Sequence, residues 1–372
     1  MKDIYLDYNA STPIDPAVAE AMKPFLTDYY GNPSSTHWAG KTARQAYETA
    51  RLQVANLLGC DPQEVIFTSG GSESNNHALK GAFFALRARG NHIITTQIEH
   101  PSIINACKFL EKLGAEVTYV GVDRYGQVSP SDIENLITSK TILISVMHAN
   151  NEVGTIQPIA DIATIAKKHN VLFHTDAAQS VGKIPTSVNE LGVDLLSVAG
   201  HKLYAPKGIG ALYIKRGTLI ESFVHGAEHE SGKRAGTENI LLAVGLGAAC
   251  EIAAAHLQHN EEIKTLRDYF RDELRKYFKT NFVVNGHPEE HIPNTLSISF
   301  IGKIGLDILK SIPELAASTG SACHSGIVQL SPVLKAMNVE ELVGKGTIRF
   351  SLGRFTTKEE IDDVVQLLIE RV

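Results

Sequence analysis

Short apolar runs alternate along the middle of this chain with longer stretches whose apolar residues return every three or four positions. The runs Glu64–Thr68, His92–Thr96, Val117–Val120, Thr141–Val146, Val171–Thr175, Asp194–Val198 and Gly210–Ile214 read as strands. Several are rich in Ile and Val, as strands covered on both faces must be. Helical periods fill Ser102–Leu113, Pro130–Ile137 and Ile159–Lys168 between them. Strand–helix alternation predicts an α/β fold with a mostly parallel sheet. The pattern changes near residue 238. Glu238 to Phe278 is largely helical, followed by strands at Thr295–Phe300 and Thr347–Ser351, a helix near Gly305–Ser311, and a closing amphipathic helix from Lys358. This second part reads as a smaller α+β domain. The expected division is a large domain over 15–255 and a small one from 1–14 and 256–372. No Gly/Ser- or Pro-rich linker parts them, so a packed pair is expected.

Composition narrows the classes. At roughly 100–200 residues per domain, 372 residues make two domains or one large one. With 43% hydrophobic and 20% charged residues, the chain has an ordinary globular make-up and is not a disordered one. A net charge of −6 leaves no basic footprint for nucleic acid. The four cysteines Cys60, Cys107, Cys250 and Cys323 are far apart and form no CxxC, which argues against a disulfide framework and fits a reducing cytoplasm. Met1–Asp7 has no apolar core and carries two acids, so no secretory leader is expected. The most apolar stretch, Ile240 to Cys250, stops at Glu251 and is too short to cross a bilayer. Neither a membrane nor a nucleic acid is an expected partner.

Four segments carry chemistry. Ser69-Gly70-Gly71-Ser72-Glu73-Ser74-Asn75 sits between a strand and a helix. Its glycines admit a close backbone approach, and the helix start offers free N–H groups to an anion. Phe173-His174-Thr175-Asp176 ends another strand, where Asp176 either pairs with a cationic ring nitrogen or caps the next turn. Gly200-His201-Lys202 follows a buried strand. A lysine partly withdrawn from water there has a lowered pKa and can condense with an aldehyde, although most loop lysines are only solvated charges. Gly320-Ser321-Ala322-Cys323-His324-Ser325-Gly326 holds a thiol among small residues, a setting for a nucleophile rather than for a buried cysteine. The HxxxH pairs His225/His229 and His287/His291 are interrupted by Gly226 and Pro288 and lack the Glu of HExxH, so no metal site is expected. A phosphate cradle, an acid and a lysine in that order suit pyridoxal 5′-phosphate, and the thiol adds a nucleophile.

The chain resembles the NifS/IscS-type cysteine desulfurases of the class V aminotransferase family, pyridoxal phosphate enzymes of fold type I. The resemblance runs nearly end to end. It is carried by Tyr5-Leu6-Asp7-Tyr8-Asn9-Ala10-Ser11-Thr12-Pro13, Gly31-Asn32-Pro33-Ser34-Ser35, Glu99-His100-Pro101, His148-Ala149-Asn150-Asn151-Glu152-Val153-Gly154, Arg234-Ala235-Gly236-Thr237-Glu238-Asn239 and Ile348-Arg349-Phe350-Ser351-Leu352-Gly353-Arg354. It implies a large domain on a mostly parallel seven-stranded sheet and a smaller α+β domain. It implies that Lys202 binds the cofactor covalently and moves the Cα proton, that Asp176 pairs with the ring nitrogen, and that His100 stacks on the ring and assists proton transfer. Gln179 would reach the ring oxygen, and Gly71, Ser72 and His201 the phosphate. Thr237 would reach the phosphate of a neighbouring subunit in a homodimer. Asn151 and Arg349 would hold the carboxylate of L-cysteine. Cys323 would take the sulfur as a persulfide and pass it to an acceptor protein, for iron–sulfur cluster assembly or other thio-cofactor synthesis.

The chain departs from the family pattern in three places. Ala199 stands where Ser or Thr is common and removes one phosphate hydroxyl. Ser72 replaces a common Thr and keeps the hydroxyl. His324 follows the reactive cysteine where small residues are frequent. A Cys-His pair also occurs in selenocysteine lyases, which makes such a lyase or an ordinary class V aminotransferase the first rival. An inactive scaffold with the same fold is a rival of another kind, opposed by the intact Lys202, Asp176, His100 and Cys323. Residues from Ser318 to about Gln329 are expected to be more mobile than the sheet, or held away from Lys202.

Overall fold

The computed structural model describes residues 3–324 and 327–372, with the side chains of 321–324, 327 and 328 outside that description. Seven strands form the main sheet: β1 (Val65–Thr68), β2 (His92–Thr96), β3 (Glu116–Val120), β4 (Thr141–Ser145), β5 (Leu172–Asp176), β6 (Leu195–Ala199) and β7 (Gly210–Ile214). Their spatial order is β1-β7-β6-β5-β4-β2-β3. β7 runs antiparallel to both its neighbours, and the other pairings are parallel. The predicted strands and helices lie within a residue or two of these, with Gly210–Ile214 and Ile159–Lys168 matching at both ends.

Side chains alternate across this sheet, and both faces are covered. Ile94, Ile144, Leu196 and Tyr213 join a core with the helices Trp38–Leu58, Ile159–Lys168 and Ile240–His256. Their neighbours Ile93, Leu143, Leu195 and Leu212 join a second core with the helices Ala82–Leu86 and Pro101–Glu111. That two-sided burial is why the strands are continuous apolar runs. The helix Trp38–Leu58 is absent from the sequence-based expectations.

A second, antiparallel sheet is built from β8 (Phe282–Asn285), β9 (Thr295–Phe300), β10 (Ser318–Thr319) and, after a hairpin, β13 (Thr347–Ser351), in the order β10-β13-β9-β8. The hairpin is β11 (Ser321–His324) paired antiparallel with β12 (Ile327–Leu330). A separate core packs this sheet against the helices Asn260–Phe278 and Lys358–Arg371, and Ile4 and Leu6 from the amino terminus are part of it.

The small-residue segment around Cys323 therefore has a paired backbone rather than an irregular one. Four residues on each side are in register, and the far strand supplies β-favouring Ile327 and Val328. The Ser331 amide donates to the Gly320 carbonyl at 2.9 Å and closes the hairpin base. The Cys323 thiol and its proposed surroundings, and residues 325 and 326 of the expected mobile segment, lie outside the described residues.

Candidate active site

The carboxyl ends of β1, β2, β4, β5 and β6 open on one cavity of about 650 Å³. Gly71, Ser72, His100, Asn151, Asp176, Gln179, His201, Lys202 and Arg349 all line it. Gly71, His100, Asn151, Asp176 and Lys202 share it because the parallel strands deliver their following loops to the same edge, and Arg349, nearly 280 positions from Gly71 (349 − 71), joins them from the second sheet.

The cradle follows β1. Gly70 has φ +142° and ψ −179°, a backbone that a side chain would strain, and it lets the chain turn directly into the helix Gly71–Asn76. Among the described residues the amides of Gly71, Ser72 and Glu73 have no acceptor. A side chain at Gly71 would meet the Ala199 methyl at 3.1 Å, so the cradle takes its shape from the missing Cβ. Glu73 receives Arg234 Nε at 2.9 Å and the Ser69 amide at 2.8 Å, which fixes the mouth of the turn.

Asp176 is the last residue of β5 and 5% exposed. Its Oδ1 accepts from the Ala178 amide at 3.0 Å, so it does cap the following turn. Its Oδ2 accepts from Asn75 Nδ2 at 2.7 Å, which ties it to the cradle helix. Asp176 therefore caps and still presents a carboxylate to the cavity.

His100 begins the helix Pro101–Glu111. Its Nδ1 accepts from the Ser102 amide at 3.2 Å and lies 2.8 Å from Ser102 Oγ. An Nδ1 that accepts a backbone N–H carries no proton, so the neutral ring keeps its proton on Nε2. Burial lowers the His100 pKa and the Lys202 charge adds to this, while Asp176 opposes it. The preceding Glu99 is buried and holds the turn from below, accepting from the Met147 amide at 2.9 Å and from Thr96 Oγ1 at 2.8 Å. Its withdrawal from water pushes its pKa up to about 8.

Lys202 follows β6 in a short 3₁₀ turn, Gly200–Lys202. Its Nζ donates to the carbonyl of Asn9 and, at 2.8 Å, to that of Ala10. Burial, and then the positive charge of Arg349, bring its pKa down to about 8, with Asp7 and Asp176 pulling the other way. Thr12 clamps the loop, donating its amide to the His201 carbonyl at 2.9 Å and accepting from the Tyr204 amide at 2.8 Å. The amino-terminal motif therefore serves as the floor under the lysine. Lys207 also lines the cavity, on its exposed side.

Arg349 projects from β13 and is 8% exposed. Nη2 donates to Asp7 Oδ1 at 2.6 Å and to Ser318 Oγ at 3.0 Å, and Nη1 to the Asn151 carbonyl at 2.9 Å. Its Nε is buried with no partner among the described residues. Three contacts orient the guanidinium, leaving Nε and one Nη1 proton without a partner among the described residues.

Thr237 is not brought into this cavity. It is exposed and lines a separate one of about 220 Å³, which shares Ser69 and Gly208 with the first. Sequence reasoning assigned no role to Asn9, whose carbonyl receives both Lys202 and Gln179 Nε2, the latter at 3.0 Å. Its only sequence signal is membership of the Tyr5–Pro13 motif.

An aldehyde cofactor bearing a phosphate, a basic ring nitrogen and a ring hydroxyl would find a partner here for each group. This is the demand that pyridoxal 5′-phosphate makes of a protein, and fold and site together define an enzyme of fold type I that uses it. The model of the class-V aminotransferases matches residues 4–364, and the chain belongs to that family. Cysteine desulfurase IscS of Dictyoglomus turgidum is 48% identical over 377 residues, covering 100% of this chain and 95% of that protein. The human cysteine desulfurase is 44% identical over 376 residues, covering 100% and 82%. Among solved structures, a NifS-like protein superposes with a TM-score of 0.93 at 38% identity, covering 99% of this chain and 98% of that one. SspA in complex with cysteine superposes with a TM-score of 0.83 at 38% identity, covering 95% and 99%. The chain is a pyridoxal phosphate-dependent cysteine desulfurase.

Ala199 is 3% exposed and faces the cradle. A hydrogen bond to a charged phosphate contributes roughly 1.5–3 kcal/mol. Ala199→Ser is expected to slow cofactor loss on dialysis by about tenfold or more. Unchanged retention would show that another donor already serves that oxygen.

Proposed function

We propose that this enzyme takes sulfur from L-cysteine, releases L-alanine, holds the sulfur as a persulfide on Cys323 and hands it to a protein acceptor such as an iron–sulfur scaffold. The observation that carries this reading is the single cavity joining the Lys202 amine, the Asp176 carboxylate and the Gly71 cradle. Bound there, pyridoxal phosphate supplies an electron sink that makes the substrate Cα proton removable.

The chain's own residues do the rest. Arg349 and Asn151 grip the substrate carboxylate, and the Asp7 contact keeps the guanidinium from turning. Lys202, with a pKa near 8, is able to give up and regain a proton near neutral pH. It moves the Cα proton. His100 presents Nε2–H to the cavity for the second proton site. Asp176 would be the partner of the ring nitrogen. Cys323 attacks the substrate sulfur: the C–S bond breaks, an S–S bond forms, and the β-carbon takes a proton to complete alanine. The sum is cysteine plus thiol giving alanine plus persulfide, with no outside oxidant.

The test is to give the holoenzyme L-cysteine without any acceptor and to count alanine. About one equivalent per active thiol is expected, with continued turnover once a thiol or scaffold protein is added. Selenocysteine turnover that survives Cys323→Ser while cysteine turnover does not would favour the lyase reading.

We further propose a homodimer in which Thr237 serves the partner's phosphate. The support is the exposure of Thr237 beside the cradle of its own chain and its absence from the main cavity. Mixing Lys202→Ala with Thr237→Ala protomers yields heterodimers with one doubly damaged site and one intact site, so activity above that of either parent is expected. A fully active monomer on size exclusion would defeat this. A reducing cytoplasm is the proposed location, supported by the free thiols of Cys60, Cys107 and Cys250.

A further inference from the structure

The turn after β5 carries a second lysine that the chemistry above does not use. Lys183 stands four residues beyond Gln179, and its Nζ donates to Gln179 Oε1 at 2.9 Å and to Asn9 Oδ1 at 3.1 Å. Asn9 Oδ1 also accepts from Asn294 Nδ2 at 3.0 Å. Among the described residues no carboxylate pairs with Lys183. The charged groups that act on it are Lys202 and Arg349, and together with burial they push its pKa well below that of a free lysine. An amine kept in such surroundings, with the amide oxygens of Gln179 and Asn9 as its acceptors, costs stability and calls for a role.

Gln179 supplies that role. It is 4% exposed, and both ends of its carboxamide are held. The oxygen accepts from Lys183, and Nε2 donates to the Asn9 carbonyl at 3.0 Å. A carboxamide has near-equal shape in its two flipped states, so only its partners decide which end faces a ligand. Lys183 donates an N–H to Oε1 while the Asn9 carbonyl takes Nε2, and this pair of contacts fixes which end of the carboxamide is which. One N–H of Nε2 is left for the cavity that Gln179 lines. The same Asn9 carbonyl receives Lys202, so the setting of Gln179 also bears on the reacting amine.

We propose that Lys183 is a positioning residue, which holds the Gln179 carboxamide so that its N–H meets the ring oxygen of the bound cofactor. The inference rests on the reading of Gln179 as the partner of that oxygen. A donor there draws electron density from the ring oxygen. Without it, or with the amide flipped, the oxygen holds the neighbouring proton more tightly. The pH at which the bound cofactor changes colour then rises.

The experiment is a pH titration of the visible absorbance of purified holoenzyme, with cofactor content and thermal midpoint measured on the same samples. Lys183→Met fills the same space without a donor, and is expected to keep full cofactor content while raising the titration midpoint by about one pH unit. Gln179→Leu is expected to raise it as much, and the double variant to go no further, because the two residues act as one unit. Lys183→Leu, which likewise carries no donor, is the second variant should Lys183→Met fail to fold. A Lys183→Met or Lys183→Leu protein that titrates like the parent overturns the inference. Shifts that add in the double variant overturn it too, since Lys183 would then act independently of Gln179. A Gln179→Leu protein that titrates like the parent while Lys183→Met shifts removes the assigned role of Gln179 and the inference with it.

Discussion

Lys202→Ala is expected to remove the covalent hold on the cofactor and to lower cysteine turnover by on the order of 10³–10⁴-fold or more. Two observations set the size of this effect. The Lys202 amine is aimed into the cavity by the Asn9 and Ala10 carbonyls, and its pKa is brought to about 8. At pH 7.5 about a quarter of such amines are neutral and able to condense with an aldehyde, against about a thousandth at a pKa of 10.5. Capture of pyridoxal phosphate by cofactor-free wild-type enzyme should therefore rise with pH through a midpoint near 8. Borohydride reduction followed by peptide mapping checks the attachment. Label that persists in Lys202→Ala would move it to another amine, of which Lys207 on the cavity rim is the first to test.

Cys323→Ser separates binding from sulfur transfer. The variant keeps the cofactor absorbance and its spectral response to L-cysteine, because no residue of the cradle, the acid or the lysine has changed. Persulfide formation is lost, and alanine release falls by on the order of 10³-fold, since a serine hydroxyl is a far weaker nucleophile toward sulfur at neutral pH. Intact-protein mass after a cysteine pulse reads the outcome: the wild type gains one sulfur on the peptide holding Cys323 and the variant gains none. A serine variant with full sulfur transfer to an acceptor would place the chemistry on another thiol. Cys107 and Cys250 are poor substitutes, because both are buried and desolvation pushes the pKa of each up, that of Cys107 to about 12.

What the sequence showed and what it hid follow one rule: local signals were legible and signals completed by distant residues were not. The strands of the main sheet stand out because burial on both faces makes them continuous Ile/Val runs. Gly70-Gly71, Asp176 and Lys202 are each visible because a strand end and a turn lie next to them. The helix Trp38–Leu58 was missed although Ala43, Tyr47, Ala50, Val54, Ala55 and Leu58 hold a helical period. Half of those positions are alanine, and Arg51 interrupts the face. Arg51 is tolerated inside because Glu230, 179 residues away, meets it at 2.8 Å. The edge strand β8 escaped notice because Val283 and Val284 are both exposed and break the alternation. Asn9 and Lys183 were hidden in the same way, since neither has a partner within the segment that carries it except Gln179.

The reversed strand β7 has a consequence for how the enzyme is made. Gly210 pairs with Ala199 on one side and with Thr68 on the other. A side chain at Gly210 would come within 2.7 Å of the Gly70 Cα, so the lysine loop and the phosphate cradle meet across a single hydrogen atom. The β6–β7 hairpin closes over about a dozen residues and forms early and locally, whereas the β1–β7 ladder joins residues 142 to 148 positions apart (210 − 68 and 213 − 65). The cradle is thus welded to the lysine by one of the most non-local pairings in the chain. A ribosome must have released everything through β7 before the cradle and the lysine can be held together for the vitamin-derived cofactor. Pyridoxal phosphate, which binds only the assembled site, is then expected to act as a brake on unfolding, so vitamin shortage is expected to shorten the lifetime of the finished enzyme.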